Sequence, residues 1–259
     1  MLDGARGRAE DGGSQVLLLS HDSGAGLEKV DGVVISDLLD QESRNAIPPH
    51  LPVICLSGAQ RNWASIVADE YSGMKQATEH LLALGHRRIA YLHGRNTTNV
   101  PLRVRGYRDA LCEAGIVPQK NWLHRLTGKN DFGPEFTAEG HRRMAGWLNN
   151  NGPSGWHHLG CTALLCHNDE TALGALQALG EAGLKVPDDV SVIGFDGTEV
   201  GEYCSPQLTS VEMPLKLMGE VAIELLQKQI AADEVLVECQ ILPTQLRVRQ
   251  STAAPPQTD

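Results

Sequence analysis

Six short apolar runs recur along the chain: Val16–Leu19, Val33–Ile35, Val53–Leu56, Ile89–Leu92, Thr162–Cys166 and Val190–Phe195. Their apolar positions are consecutive rather than alternate, the pattern of strands buried on both faces of a parallel sheet. Helical spacings lie between them. Asp69 is placed to cap a helix that turns Met74, Ala77, Leu81 and Leu84 to one face and stops at Gly85. Asp169 is placed to cap a second, with Ala172, Leu176 and Leu179 inward and Gly183 after its end. Pro214 opens a third, in which Leu215, Met218, Ala222 and Leu225 repeat, and Pro187 breaks the chain before the Val190 run. Strand, helix and strand repeated in this way predict an α/β fold with doubly wound parallel sheets.

Three stretches depart from this rhythm. Residues 1–14 are polar and glycine-rich and 251–259 form a Pro/Thr/Ala tail, so both read as frayed ends. Only the 13 residues Ser20–Gly32 separate the first two runs, and they show little helical pattern. A parallel crossover needs about a dozen residues, usually with a helix, so the first part of the fold looks cut down.

Length and composition narrow the picture. A chain of 259 residues exceeds what one core usually holds, which points to two mid-sized lobes. The formal net charge of −10 argues against this chain gripping nucleic acid unaided, because phosphate binding needs a basic surface. No apolar run is long enough to span a bilayer and no export pattern opens the sequence. Six scattered cysteines then read as buried thiols of a reducing compartment, which makes a cytoplasmic location the expectation.

Ligands in open α/β sheets bind beyond the carboxyl ends of strands. Four such places are polar: Ser57; the loop Gly94–Leu102 leading to Arg103; Asn168 with Asp169; and Asp196. Each has an ordinary alternative, as helix cap (Asp169), turn former (Asn168, Asp196) or surface ion pair (Arg103). Their shared position is what favours a site. Guanidinium, carboxylate and amide together suit a polyhydroxylated ligand, since the first two engage adjacent hydroxyls in pairs. Phe132, in the polar segment KNDFGPEF, is a candidate stacking platform. Gly24 and Gly26 lack the third glycine of a dinucleotide fingerprint, and His157, His158, Cys161, Cys166 and His167 match no zinc spacing. No nucleophile elbow, phosphate loop or zincin helix occurs. We therefore expect no cofactor, no metal and no catalysis.

Several longer motifs coincide with one family. VDGVVISD at 31–38, LGHRRIAYLHG at 84–94, RVRGYRDAL at 103–111, the segment 166–197, PQLTSVEMP at 206–214 and LRVRQST at 246–252 resemble the effector-binding core of LacI/GalR transcription regulators. The resemblance implies a periplasmic-binding-protein-like type I fold of two lobes joined by three crossovers, near Val67–Ala68, Glu212–Pro214 and Cys239–Ile241. The N-terminal lobe would hold 1–67 plus 214–238, shortened at its start, and the C-terminal lobe 68–213 plus 239–259. It further implies a homodimer whose small-molecule effector, a sugar or nucleoside-like metabolite, closes an interlobe cleft and so alters operator affinity.

By the same resemblance Arg103 matches the effector-clamping arginine, Asp196 the carboxylate that receives ligand hydroxyls, Asn168 its amide partner and Phe132 the stacking aromatic. Met213 and Ser57 stand where polar contacts are common, which makes this site less polar than a typical sugar site. The family's helix-turn-helix headpiece is not in this sequence, so operator DNA would be reached only through a segment outside it. A sugar-binding protein of a transport system shares the fold and is the main rival. The GHRRIA and NDETALGA motifs favour the regulator.

Overall fold

The computed structural model describes the chain except for residues 18–25, 37–40, 57, 59–62, 95–98, 127–134, 153–154, 233–236 and 258–259. In chain order the elements begin with α1 (Leu2–Asp11), β1 (Val33–Ile35), α2 (Gln41–Ala46), β2 (Val53–Cys55) and β3 (Ala64–Ala68). There follow α3 (Glu70–Ala83), β4 (Ile89–His93), α4 (Val100–Glu113), β5 (Leu123–Arg125), α5 (Glu135–Leu148), α6 (Trp156–Leu159) and β6 (Ala163–Cys166). The last are α7 (Asp169–Glu181), β7 (Ser191–Asp196), α8 (Val200–Tyr203), β8 (Thr209–Glu212), α9 (Leu215–Ala232), β9 (Cys239–Leu242) and β10 (Gln245–Arg247). No helix among the described residues is long and apolar enough to cross a membrane.

The chain divides into two compact units, 1–69 with 214–243 and 70–213 with 244–259. The first unit has a parallel sheet in the order β1-β2-β3-β9. β9 pairs with β3 from Ser65↔Cys239 to Ala68↔Leu242. The strand therefore completes the first unit's sheet, and the chain leaves that unit after Pro243, later than the expected crossover at Cys239–Ile241.

Two expectations for the ends are corrected. Residues 2–11 are a helix, not a frayed end. Its buried face is made of Gly4, Ala5 and Ala9, too small to register as an apolar stripe. Small residues are what let α1 approach α9: a Cβ on Gly4 would stand 2.2 Å from the Lys216 carbonyl, and one on Gly219 2.2 Å from that of Met1. Ala5 and Ala9 then pack with Ile223, Val16 and Val34. Val16 and Leu17 carry no strand, and the rest of that predicted run lies outside the described residues.

The C-terminal tail is likewise ordered through Ala253. The Ser251 hydroxyl is fully buried, donates to the Val192 carbonyl and accepts from the Thr209 amide. Nearby, His86 contacts the Thr162 and Ser191 hydroxyls and the Ala253 carbonyl.

Among the described residues the second unit's sheet has six strands in the order β10-β8-β7-β6-β4-β5, all parallel except β10, which pairs antiparallel with β8. The middles of β4, β6 and β7 are apolar and bury Ile89, Leu92, Leu164, Ile193 and Phe195 completely, while His93 and Asp196 stand at the carboxyl ends of β4 and β7. Strand order reverses between β4 and β6. Chain direction therefore opens a crevice at the carboxyl ends of these two strands, the usual ligand position in such sheets.

Close helix contacts flank this sheet. A Cβ on Gly106 of α4 would meet the Tyr71 carbonyl of α3 at 2.3 Å, and one on Gly174 of α7 would meet the Thr137 carbonyl of α5 at 2.0 Å. Alanine inside an exposed helix normally gains up to about 1 kcal/mol over glycine. Here the clash is with backbone, and overpacking costs about 1–3 kcal/mol. Gly174→Ala is therefore expected to lower stability by about 1–2 kcal/mol in urea denaturation. A gain would show that α5 and α7 are free to part.

Candidate functional site

The carboxyl ends of β4, β6 and β7, with the first turns of α3 and α4, gather polar groups that the core cannot otherwise hold. Arg103, on the first turn of α4, is 3 % exposed. Its Nε donates to Glu70 Oε2, its Nη1 donates to the His167 carbonyl, and its Nη2 lies 3.6 Å from Asp196 Oδ1. The Phe195 ring lies under the guanidinium, 3.6 Å from ring centre to Cζ. Desolvation opposes the charge on Arg103, but Glu70 and Asp196 outweigh it and hold the guanidinium above its ordinary pKa.

Asp196 ends β7 with φ at 104°, the one positive-φ residue among the described residues that is not glycine. Aspartate is among the few side chains that tolerate this region, at some cost in strain. Gly197 follows at φ 70°, where a Cβ would stand 2.6 Å from the Glu212 Cα. Asp169 secures the turn. It is fully buried, accepts from the Thr198 amide at 2.6 Å and hydroxyl at 2.9 Å, and accepts from the Ser210 hydroxyl at 2.5 Å. Burial raises the Asp169 pKa, and those three donors partly offset the shift.

Desolvation pushes the Asp196 carboxyl up to about 7, against the pull of Arg103 and with repulsion from Asp169 and Glu70. Its side chain nevertheless keeps 29 % exposure, where those of Arg103 and Glu70 keep 4 % and 6 %. Next to it, burial holds the His167 imidazole well below its usual range, with Arg103 adding to the shift. His167 Nδ1 is buried with no hydrogen-bond partner among the described residues.

The capping role read for Asp169 falls instead to Asn168. Asn168 has extended backbone and is the N-cap of α7, its Oδ1 accepting from the Thr171 amide at 2.9 Å and hydroxyl at 2.6 Å. Its oxygen is thus engaged, which leaves the amide NH2 for a ligand. Asp169, the expected cap, is instead the first helical residue and braces the Asp196 turn.

Met213 is half-buried against the second unit's core, with its amide donating to the Asp196 carbonyl. Ser57, Phe132 and Gly24 lie outside the described residues. Among the described residues no three His, Cys, Asp or Glu side chains are grouped to hold a metal. Of the soft ligands near residue 160, Cys161 and Cys166 are buried thiols, burial pushing the first to about 12 and raising the second.

Glu70 is the residue that sequence reasoning missed. An acidic residue in a helix's first turn is ordinary there, since it complements the helix dipole, and nothing sets this one apart. Its signal was positional: it opens α3 and so shares the rim with Arg103.

Comparisons with known proteins converge on one group. Residues 78–252 match the family described as periplasmic binding protein-like domain. The transcriptional regulator DegA of Bacillus subtilis is 31 % identical over 236 residues, which cover 90 % of this chain and 61 % of the relative. A LacI family transcriptional regulator from Enterococcus faecium, solved with bound ribose, superposes with a TM-score of 0.80 at 27 % identity, covering 98 % of this chain and 92 % of that one. The transcriptional regulator CelR in complex with cellobiose matches at the same TM-score and identity, over 96 % of this chain and 77 % of that one. The chain spans about 60 % of the length of the curated relatives it matches.

Two predictions follow from the cluster's electrostatics. Between pH 3.8 and about 7 the folded chain keeps the Asp196 proton that the unfolded chain has lost. Stability therefore falls as pH rises through that window. Asp196→Asn, neutral at every pH and suited to positive φ, is expected to be more stable than wild type by about 1–3 kcal/mol at pH 8 and nearly equal to it at pH 4. Thermal melts at the two pH values test this, and a variant less stable at pH 8 would refute it.

Arg103→Met strands the buried Glu70 carboxylate and is expected to cost about 3–5 kcal/mol. Arg103→Met combined with Glu70→Leu, which removes both charges, should recover most of the loss in urea titrations.

Proposed function

The chain belongs to the periplasmic-binding-protein-like domain family, with the LacI/GalR effector-binding cores, and on that premise we propose that it senses a small polar metabolite for a transcription regulator without catalysing a reaction. The ligand is of the sugar or nucleoside type. It is received by the second unit's rim, where Asp196 accepts hydroxyls and Asn168 donates its amide, with Arg103 behind them. Phe132, Met213 and Ser57 complete the assignment by resemblance. The observation that carries this reading is the Asp196 carboxylate. It is held at a strand end in a costly backbone conformation, braced by Asp169 and kept open while its neighbours are buried.

Strain maintained at one residue by a dedicated brace suits a group fixed for recognition. The relatives support the ligand class: one is a regulator with bound ribose, another a complex with cellobiose. In the full regulator the effector would shift a dimer between states of different operator affinity, through a DNA-binding segment outside this sequence.

A thermal-shift screen of sugars and nucleosides on the purified chain tests the reading. A ligand at 100 times its Kd should add about 2.7 kcal/mol of stability. Asp196→Ala should abolish that shift. If every compound is silent the sensing role fails, and if a shift survives Asp196→Ala the site is elsewhere.

A further inference from the structure

Arg103 has already met its charge before any ligand arrives. The first carboxylate on it, Glu70, is 5 % exposed and accepts a hydrogen bond from Nε, while the second, Asp196, faces Nη2. The His167 carbonyl accepts a hydrogen bond from Nη1, and Phe195 covers one face of the plane. A guanidinium has five donors and one positive charge. Two of the donors are hydrogen-bonded to groups of the protein itself, a third nitrogen lies 3.6 Å from Asp196, and the single charge is shared between two carboxylates.

An arginine meant to seize a phosphate or carboxylate presents its fork to the ligand and has charge to spare. Above about pH 7, where Asp196 is ionised, the formal sum of Arg103, Glu70 and Asp196 is negative. Asp169 adds a further carboxylate behind them, and the His167 imidazole beside them is neutral. An incoming anion would meet net repulsion in a poorly solvated place, where Coulomb interactions are strong.

We propose that Glu70 is a specificity-determining residue: by occupying Arg103 it makes this rim reject anionic ligands, so that the effector presents only uncharged hydroxyl or amino donors to Asp196. Glu70 is a positioning residue in this scheme. It touches Arg103 and not the ligand, and it fixes the charge that the ligand meets. The proposal rests on the site assignment above and deepens it, by dividing the polar metabolites into those without a phosphate or carboxylate, which fit, and those with one, which do not.

The test uses matched probes on the whole chain: ribose and ribose 5-phosphate, glucose and glucose 6-phosphate, adenosine and its 5′-monophosphate, and inorganic phosphate alone. Affinities are read by isothermal titration and thermal shift on wild type, Glu70→Gln, and Glu70→Gln combined with Asp196→Asn. Wild type is expected to bind no phosphorylated probe and no phosphate. Glu70→Gln should gain at least about tenfold in affinity for anionic probes, and the double variant should gain more. Adding Arg103→Met should erase the gain.

If wild type binds a phosphorylated probe more tightly than its neutral partner, and Arg103→Met removes that binding, the proposal is overturned. It is equally overturned if both folded variants stay blind to anions. Should Glu70→Gln fail to fold, by circular dichroism, Glu70→Asn takes its place, and the wild-type comparison decides by itself in either case. Silence of every neutral probe counts against the sensing role alone, because the gain of anion binding is read without them.

Discussion

Removing a guanidinium from water costs several kcal/mol unless its charge and its N–H groups are met within the protein. Arg103 meets this demand with four groups from three segments: Glu70 from the start of α3, the His167 carbonyl after β6, and Asp196 with the Phe195 ring at the end of β7. These segments are far apart in sequence. They can be brought to one guanidinium only if the strands hold their register, Leu92 beside Cys166 and Asp196 beside Glu212. The buried arginine therefore ties the ends of the central strands to the helices that follow the crossover and β4. Its partners also decide what is left over for a ligand. A buried ion pair is weak evidence for stability as such, and its role here is better described as fixing geometry.

The second constraint is the turn at Asp196. Its left-handed backbone is costly, and three hydrogen bonds to Asp169 hold the following turn in place. Asp169 can do this because Asn168 has taken over the capping of α7. Glycine at 194 leaves room for the Asp169 carboxylate, which a Cβ there would meet at 2.2 Å. Two adjacent polar residues thus divide the labour: one terminates a helix and the other supports the carboxylate of the neighbouring strand. Since burial raises the pKa of both aspartates, the cluster is formed against the electrostatic preference of its members.

Much of this was legible in the sequence because strand burial and helix spacing are local signals. The runs at 33–35, 53–56, 89–92, 162–166 and 190–195 all form strands, and Gly85 and Gly183 stand in the left-handed region just past the helix ends. The strand ends then directed attention to Arg103, Asn168 and Asp196. What sequence hid was of two kinds. Contacts made of absent atoms, such as Gly4 against Lys216 and Gly219 against Met1, leave no apolar periodicity, so α1 read as a frayed end. Pairings between distant segments leave no local mark at all. Glu70 is an ordinary first-turn acid until Arg103 is seen beside it, and Ser251 is an ordinary tail serine until it is seen bonded to Val192.

The two kinds of hidden contact have different consequences for function. Small-residue contacts set how closely helices pack, and any residue small enough would serve. The Glu70–Arg103 pair is specific in sign, because a neutral amide in place of Glu70 would fill nearly the same volume and change the charge of the rim. Shape at this rim is thus carried by glycines and by the apolar strands, while on the proposal above the charge that a ligand meets is carried by one carboxylate that the ligand need not touch. Relatives that share the fold at a TM-score of 0.80 can then differ in what they bind without any change in architecture. On that proposal the residue that selects the ligand is to be sought among the partners of the buried arginine as well as among the groups that would face the ligand.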